Sequence, residues 1–277
     1  MVILKTWKTK NTGHATQLTI NAILEDDARR IISIGGDGTN HEVANGILQQ
    51  NKIPSHEITH AHYPLGSGND WVKTMNIPTD FDAWVQMVKE EQTILVNAGK
   101  IDYLIGDKPA TRYFVNVAGM AYDAFIVKNL EEKKVAKKSG NIYLLFILRC
   151  LFKYKKQRAK VTINGVSHSD IFYTINIGVC KYSGGGMSLV PHANPTGKYL
   201  AVTLAGNISK LGVLLNTWRF FNETILKHKK IKGYTTNEVH VESLAEEPIG
   251  IEADGEFLGN SPVTITLLQK VLRVVIP

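Results

Sequence analysis

Ile31-Ile32-Ser33-Ile34-Gly35-Gly36-Asp37-Gly38-Thr39-Asn40 is the stretch that decides the fold of this 277-residue chain. Its first four residues read as a buried strand that runs straight into a glycine loop. Residues 40–50 then place Val43, Ile47 and Leu48 on one helical face, with Pro54 beyond the end. The same grammar follows at once. Residues 58–63 predict a second strand, Pro64-Leu65-Gly66-Ser67-Gly68-Asn69-Asp70 a second loop, and a short helix comes next. Thr79-Asp80 reads as the cap of a helix through Trp84, Val85 and Val88. Strand, glycine loop and helix, repeated, define an α/β layer on a parallel sheet.

From about Ile94 the pattern changes to frequent strand-like runs at 112–117, 159–163, 171–179, 199–204, 239–243, 263–267 and 271–276. Asn164-Gly165, Gly184-Gly185-Gly186 and Asp254-Gly255 supply turns between them. Helical stretches interrupt the strands at 123–154 and 209–229. The expected organisation is an α/β domain over residues 1–96 and a mostly antiparallel, sandwich-like β domain over 97–277. The last strand is expected to pack back on the first domain.

Composition bounds what such a chain does. It is 44% hydrophobic and 21% charged, which is ordinary for a globular protein with a substantial core. A net charge of +7 favours anionic partners without choosing among nucleotide, anionic lipid and nucleic acid. Cys150 and Cys180 form no CxxC motif and read as reduced thiols of an intracellular protein. The longest apolar run, 142–152, is broken by Arg149 and is too short to span a bilayer, so a soluble protein is expected.

Three motifs carry chemistry. Consecutive glycines after a buried strand let the backbone approach a phosphate, and the following helix adds its positive end. Asp37 in that loop fits a role in holding Mg2+ or orienting a nucleotide. Gly66-Ser67-Gly68-Asn69-Asp70 repeats the context, and loops at the strand carboxyl ends share one edge of a parallel sheet. In Ile251-Glu252-Ala253-Asp254-Gly255-Glu256, Asp254 suits general-base work and Glu256 suits anchoring the metal or nucleotide. Each motif also has a plainer reading: a tight turn, a helix cap, a β-turn with solvated acids. Two glycine loops in one context weigh against coincidence. No Gly-Lys-Ser/Thr or GxGxxG is present.

Taken in order, these motifs resemble the diacylglycerol kinase catalytic family, which includes bacterial lipid kinases, sphingosine kinases and ceramide kinases. Glu42, Asn45-Gly46, the segment from Thr9 to Gly13-His14-Ala15, and Arg112-Tyr113-Phe114-Val115-Asn116-Val117-Ala118-Gly119 extend the match. So do Gly184-Gly185-Gly186-Met187, Leu189-Val190-Pro191 and the closing Leu272-Arg273-Val274-Val275-Ile276-Pro277. The resemblance implies two domains with a cleft between them. It implies ATP held by Thr9, Gly35, Gly36, Asp37, Gly38, Thr39, Glu42, Gly66, Ser67 and Asn69, with Mg2+ arriving on the nucleotide. Asp254 is then the base that activates a lipid hydroxyl, supported by Glu256 and Asp37.

The chain departs from the family pattern at four places. Members open with a strand and an Asn-Pro-x-x-Gly-type loop, whereas eight residues precede Thr9 here. The expectation is a truncated start or one missing edge of the nucleotide site. Asn97 stands where Asp is common, which is expected to weaken an electrostatic link to the catalytic carboxylates. His192-Ala193-Asn194-Pro195-Thr196-Gly197-Lys198 lacks the aspartates of an accessory Mg2+ site, which is expected to be lost. His41 stands where Asn is common.

Basic residues at Lys128, Lys133, Lys134, Lys137 and Lys138, at Lys153, Lys155, Lys156, Arg158 and Lys160, and at Lys227, Lys229, Lys230 and Lys232 suit docking on an anionic membrane. The plainer reading is a solvated helix face. The expectation is a cytoplasmic lipid kinase, peripheral to the membrane, with a homodimer left open. A catalytically impaired relative that binds nucleotide or lipid is the second reading. NAD kinase shares the Gly-Gly-Asp-Gly signature, but the 64–70 loop and the Asp254-Gly255-Glu256 ending fit it less well. Nucleic-acid binding ranks last, because interleaved aromatic and basic residues are missing.

Overall fold

The computed structural model describes residues 4–132 and 140–277, with the backbone alone for 140–144. The first half runs α1 (His14–Leu24), β1 (Arg30–Gly35), α2 (Asp37–Gln49), β2 (Thr59–Pro64), α3 (Asp70–Met75), α4 (Phe81–Glu90), β3 (Thr93–Ile105), β4 (Lys108–Phe114), β5 (Val117–Ala121) and α5 (Tyr122–Glu132). The second half runs α6 (Gly140–Lys153), β6 (Gln157–Ile163), β7 (Val166–Phe172), β8 (Thr174–Gly178), β9 (Tyr182–Ser183), β10 (Met187–Ser188) and β11 (Leu200–Ala205). It closes with α7 (Lys210–Asn216), α8 (Trp218–Phe221), β12 (Ile231–Thr236), β13 (Glu238–Ser243), β14 (Gly250–Ala253) and β15 (Glu256–Val275).

β1 and β2 pair in parallel, as strand-loop-helix units require, and the Asp80 carboxylate caps α4 through Ala83 N at 3.0 Å. Nearly all other strands are antiparallel. The order is β12-β11-β8-β5-β14-β15-β13-β6-β7, and β15 also pairs with β3 and, in parallel, with β2. β15 therefore ties the two regions together: Arg273 and Val274 lie beside Thr59 and His60. Asn164 and Gly165 both take positive φ, 51° and 77°, the backbone a two-residue hairpin of the sheet's twist demands.

Four expected strands differ from the structure, each for a physical reason. The run at 112–117 breaks between β4 and β5, because the amides of Val115, Asn116 and Val117 turn to the Asp254 carboxylate. The run at 171–179 breaks at Tyr173, where the chain leaves β6 and joins β5 and β11. The runs at 263–267 and 271–276 are one strand, with an irregularity between Leu268 and Leu272 at Lys270, φ 54°. The 209–229 stretch is two short helices and a 3-10 turn at Ile225–Lys227. Lys133, Lys134, Lys137 and Lys138 lie outside the described residues. Among the described residues no helix is long and apolar enough to cross a membrane.

α2 is unusual in what it buries. Asn40, His41, Glu42 and Asn45 are all inaccessible beside Val43 and Ile47. Four buried polar groups on one helix need partners, and supplying them organises the site.

Candidate active site

The two glycine loops touch. A methyl group on Gly66 would lie 2.6 Å from the Gly36 Cα, so Gly66 does not tolerate a side chain, and one on Gly36 would crowd Gly66 at 3.2 Å. A methyl on Gly38 would meet nothing. Asp37 joins the loops by accepting from Asp70 N and Trp71 N, both at 3.2 Å, at the start of α3. Asp70 in turn reaches the β domain, where its carboxylate accepts from Gly185 N and Gly186 N. Burial raises the Asp70 pKa, against those amides.

Between the loops and the β domain lies a cavity of about 490 Å³. At one end it is lined by Gly36, Asp37, Gly38, Thr39, Gly66 and Ser67. Asn116, Glu252, Asp254 and Asp123 stand along it, and Tyr122, Ile126, Val127, Ile147, Leu148 and Leu151 form an apolar wall. Backbone donors at one end, apolar wall at the other and acids along the cavity suit a ligand that is part anion and part hydrocarbon.

Asp254 is the hub. It sits at φ 49° in the turn after β14, with its side chain 2% exposed. Oδ1 accepts from Asn116 N and Val117 N, both at 3.0 Å; Oδ2 accepts from Val115 N at 2.9 Å and His41 Nδ1 at 2.8 Å. All four acceptor positions of the carboxylate are thus occupied. Glu256 turns away from the cavity to Arg112 Nη2 at 2.7 Å, with His41 Nε2 at 3.5 Å. Burial raises the Glu256 carboxyl, but His41 and Arg112 outweigh it and hold it below the ordinary range. Burial depresses the His41 imidazole, but Asp254 and Glu256 outweigh that, and its pKa is pushed up to about 9. His41 and Arg112, whose Nε lies 3.3 Å from His41 Nε2, thus stand together against two carboxylates.

Two acids that sequence reasoning missed converge beside the hub. Glu252, near the end of β14, and Asp254, in the turn that follows it, both line the cavity. A methyl on Gly119 would lie 2.5 Å from Glu252 Oε1 and 2.7 Å from Asp123 Cβ. Glu252 Oε2 accepts from Gly255 N at 2.9 Å. Asp123 accepts from Thr174 Oγ1 at 2.8 Å, and burial pushes its carboxyl up to about 6. Asn40 and Asn116, both cavity-lining and buried, hold amide oxygens without a hydrogen-bond partner in the protein. Buried acceptors of that kind fit a ligand that carries hydroxyl or amine donors.

Other expected residues stand elsewhere. Thr9 is exposed. Glu42 grips the start of α1 through Gly13 N and Ala15 N, both at 2.8 Å. Gly35 packs on Thr39, and Asn69, at φ 52°, precedes α3; neither lines the cavity. Asn97 does not face the acids. Its Nδ2 donates to Gly197 O at 2.7 Å and its Oδ1 accepts from Lys270 N at 3.0 Å. Its backbone N donates to Pro195 O at 2.8 Å. An amide, donor and acceptor at once, pins the 194–197 turn to β15 without a carboxylate. Asn97→Asp sets a carboxylate oxygen against the Gly197 carbonyl and is expected to cost about 1–3 kcal/mol of stability, read by chemical denaturation.

The buried histidines predict a pH profile. Ser33 Oγ lies 2.8 Å from both His60 Nε2 and His62 Nδ1. Burial pushes these imidazoles down to about 3 and about 4. Their contribution is full above the unfolded pKa, about 6.5, and fades as pH falls below it. His41, shifted the other way, contributes fully below about 6.5 and loses its contribution as pH rises through about 9. Stability is expected to fall on both sides of neutrality. Melting temperatures of His41→Asn should show a flatter alkaline limb and an unchanged acid limb; an unchanged alkaline limb contradicts the assignment.

The comparisons agree with this architecture. Residues 116–276 match the YegS C-terminal NAD kinase beta sandwich-like domain, and residues 1–101 match the diacylglycerol kinase catalytic domain. The chain belongs to the family that joins these two modules, a family of lipid kinases. It is 27% identical to the Bacillus subtilis (strain 168) protein named "Putative lipid kinase YtlR", over 98% of this chain and 88% of that one. It is 25% identical to a protein named diacylglycerol kinase from Staphylococcus carnosus (strain TM300), over 98% of this chain and 84% of that one. A crystal structure titled as a diacylglycerol kinase from Bacillus anthracis str. Sterne superposes with a TM-score of 0.69 at 20% identity, covering 97% and 83% of the two chains. That likeness shows the fold.

Proposed function

We propose that this chain transfers the γ-phosphoryl group of ATP to the hydroxyl of a lipid of the diacylglycerol type. The observation that carries the reading is the single cavity that joins two glycine loops to an apolar wall. The nucleotide phosphates take the loop end, where backbone N–H groups and the start of α2 attract anions. The acyl chains take the wall of Tyr122, Ile126, Val127 and Leu151. The hydroxyl then lies among Asn116, Glu252 and Asp254.

Mg2+, when bound with ATP, neutralises phosphate charge. Among the described residues no three His, Cys, Asp or Glu side chains are grouped to hold a metal by themselves. Asp37 fits a metal shared with phosphate oxygens, as is usual for this ion.

Transfer forms a bond between the lipid oxygen and the γ-phosphorus and breaks the bond to the bridging oxygen, releasing ADP. The hydroxyl proton passes to a carboxylate at the end of β14. The resemblance gives that role to Asp254, yet four donors already satisfy it. Glu252, two residues earlier and lining the same cavity, accepts the proton in our reading, and Asp254 orients the Val115–Val117 backbone. Asp123, whose carboxyl burial pushes up to about 6, stands beside Glu252 in the cavity.

Equilibrium binding tests the shared cavity. A non-hydrolysable ATP analogue and a diacylglycerol in detergent micelles are expected to bind together, neither displacing the other. Mutual displacement overturns the arrangement. The rival within the fold, NAD phosphorylation, is checked by offering NAD as acceptor.

A further inference from the structure

The stretch from α7 to α8 carries apolar residues on two sides. Val213, Thr217 and Phe220 line the cavity. Leu211, Leu215, Trp218 and Phe221, spaced four, three and three apart, form a second stripe that faces water. Leu215 is 65% exposed and Trp218 53%. Thr217 keeps right-handed helical angles, so the stripe runs unbroken across the junction. α6 packs against α7, with Lys210 Nζ bonded to Phe152 O, and adds Leu145 and Phe152, each more than 60% exposed. Six large apolar side chains on neighbouring helices make a patch that a water-facing surface does not ordinarily carry.

Charge identifies the occupant. Neither 140–160 nor 206–222 contains an Asp or Glu, while Lys153, Lys155, Lys156, Lys210 and Arg219 border the apolar residues. Glu223, just beyond, is paired with Lys181. Two copies of this face would set lysines against lysines, which disfavours a homodimer through it. Arg219 stacks over the Trp218 ring at 4.7 Å, a pairing suited to the headgroup level, where amphipathic rings and cations sit together.

We infer that the α6–α7–α8 face inserts shallowly into an anionic bilayer, so that the lipid reaches the cavity past the inner sides of the helices that hold the chain on the membrane. This rests on the lipid-kinase reading for what enters, but the surface stands on its own exposure and charge. It also shifts the docking face expected from the basic clusters. Lys160 is paired with Glu242 on the neighbouring strand β13, and Lys230 holds Asn207 O.

Pelleting with vesicles of phosphatidylcholine and phosphatidylglycerol tests it. Wild type is expected to bind, more weakly as salt rises. Replacing Leu211, Leu215, Trp218 and Phe221 by Ser is expected to weaken partitioning by roughly a hundredfold or more, given the apolar area withdrawn from the bilayer. Turnover on a short-chain, monomerically dispersed diacylglycerol is expected to be unchanged. A second readout needs no such variant: Trp218 fluorescence should be quenched by vesicles with brominated acyl chains, and that quenching should vanish in Trp218→Phe. Unaltered pelleting of a folded quadruple variant, or no Trp218 quenching, overturns the inference. So does a dimer, seen by light scattering, that the quadruple variant dissociates. Binding and quenching as expected, with no phosphate transferred to any lipid, would leave the surface standing and remove the kinase reading instead.

Discussion

Asp254→Asn is expected to lose stability and turnover together. Asn keeps one acceptor oxygen, enough for Asn116 N and Val117 N. Its NH2 group then faces Val115 N–H and His41 Nδ1–H, so two buried donors lose their acceptor and His41 loses its nearest anion. Breaking a buried charge pair from one side costs about 3–5 kcal/mol. The backbone is not the cause, since Asn accepts the left-handed φ of 49° as readily as Asp. Denaturant unfolding measures the first effect and phosphoryl transfer the second. Lost turnover with unchanged stability would assign Asp254 the base role instead and take it from Glu252.

Glu252→Gln should do the opposite. The amide oxygen can keep the Gly255 N–H bond at the same length, and the change removes a negative charge near Asp123. Stability is expected to hold within about 1 kcal/mol. Turnover is expected to fall about a hundred- to ten-thousandfold, the usual worth of a positioned base, with ATP affinity unchanged. Near-normal turnover would exclude Glu252 as the proton acceptor. The pair of variants thus separates the residue that moves a proton from the residue that holds the site in shape. Loss of activity in either one alone does not.

What the sequence displays follows from the range of the forces involved. The glycine loops are legible because close backbone approach excludes side chains: the Gly36–Gly66 contact requires glycine at Gly66 and crowds any side chain at Gly36. The capped α4 and the Asn164-Gly165 hairpin are legible because their rules span a few residues. The hub is not. Asp254 is visible as an acid in a turn, but its bonds to Val115, Asn116 and Val117 cross more than 130 residues. The same contacts split a run that alternation alone reads as one strand. Glu42 matches a motif position, yet its environment gives it to α1. The heptad-like spacing of Leu211, Leu215, Trp218 and Phe221 can be read in the chain. Which side of that helix meets the core depends on α6, and periodicity does not report it.

Nucleotide and lipid are expected to meet in one cavity for phosphoryl transfer. The most direct measurement is label from γ-labelled ATP with Mg2+ appearing in long-chain diacylglycerol in mixed micelles, recovered in the organic phase. Transfer to the lipid hydroxyl, with none to NAD, is the predicted result. No label in any lipid from a folded chain that binds ATP, or label passing to NAD instead, would contradict it.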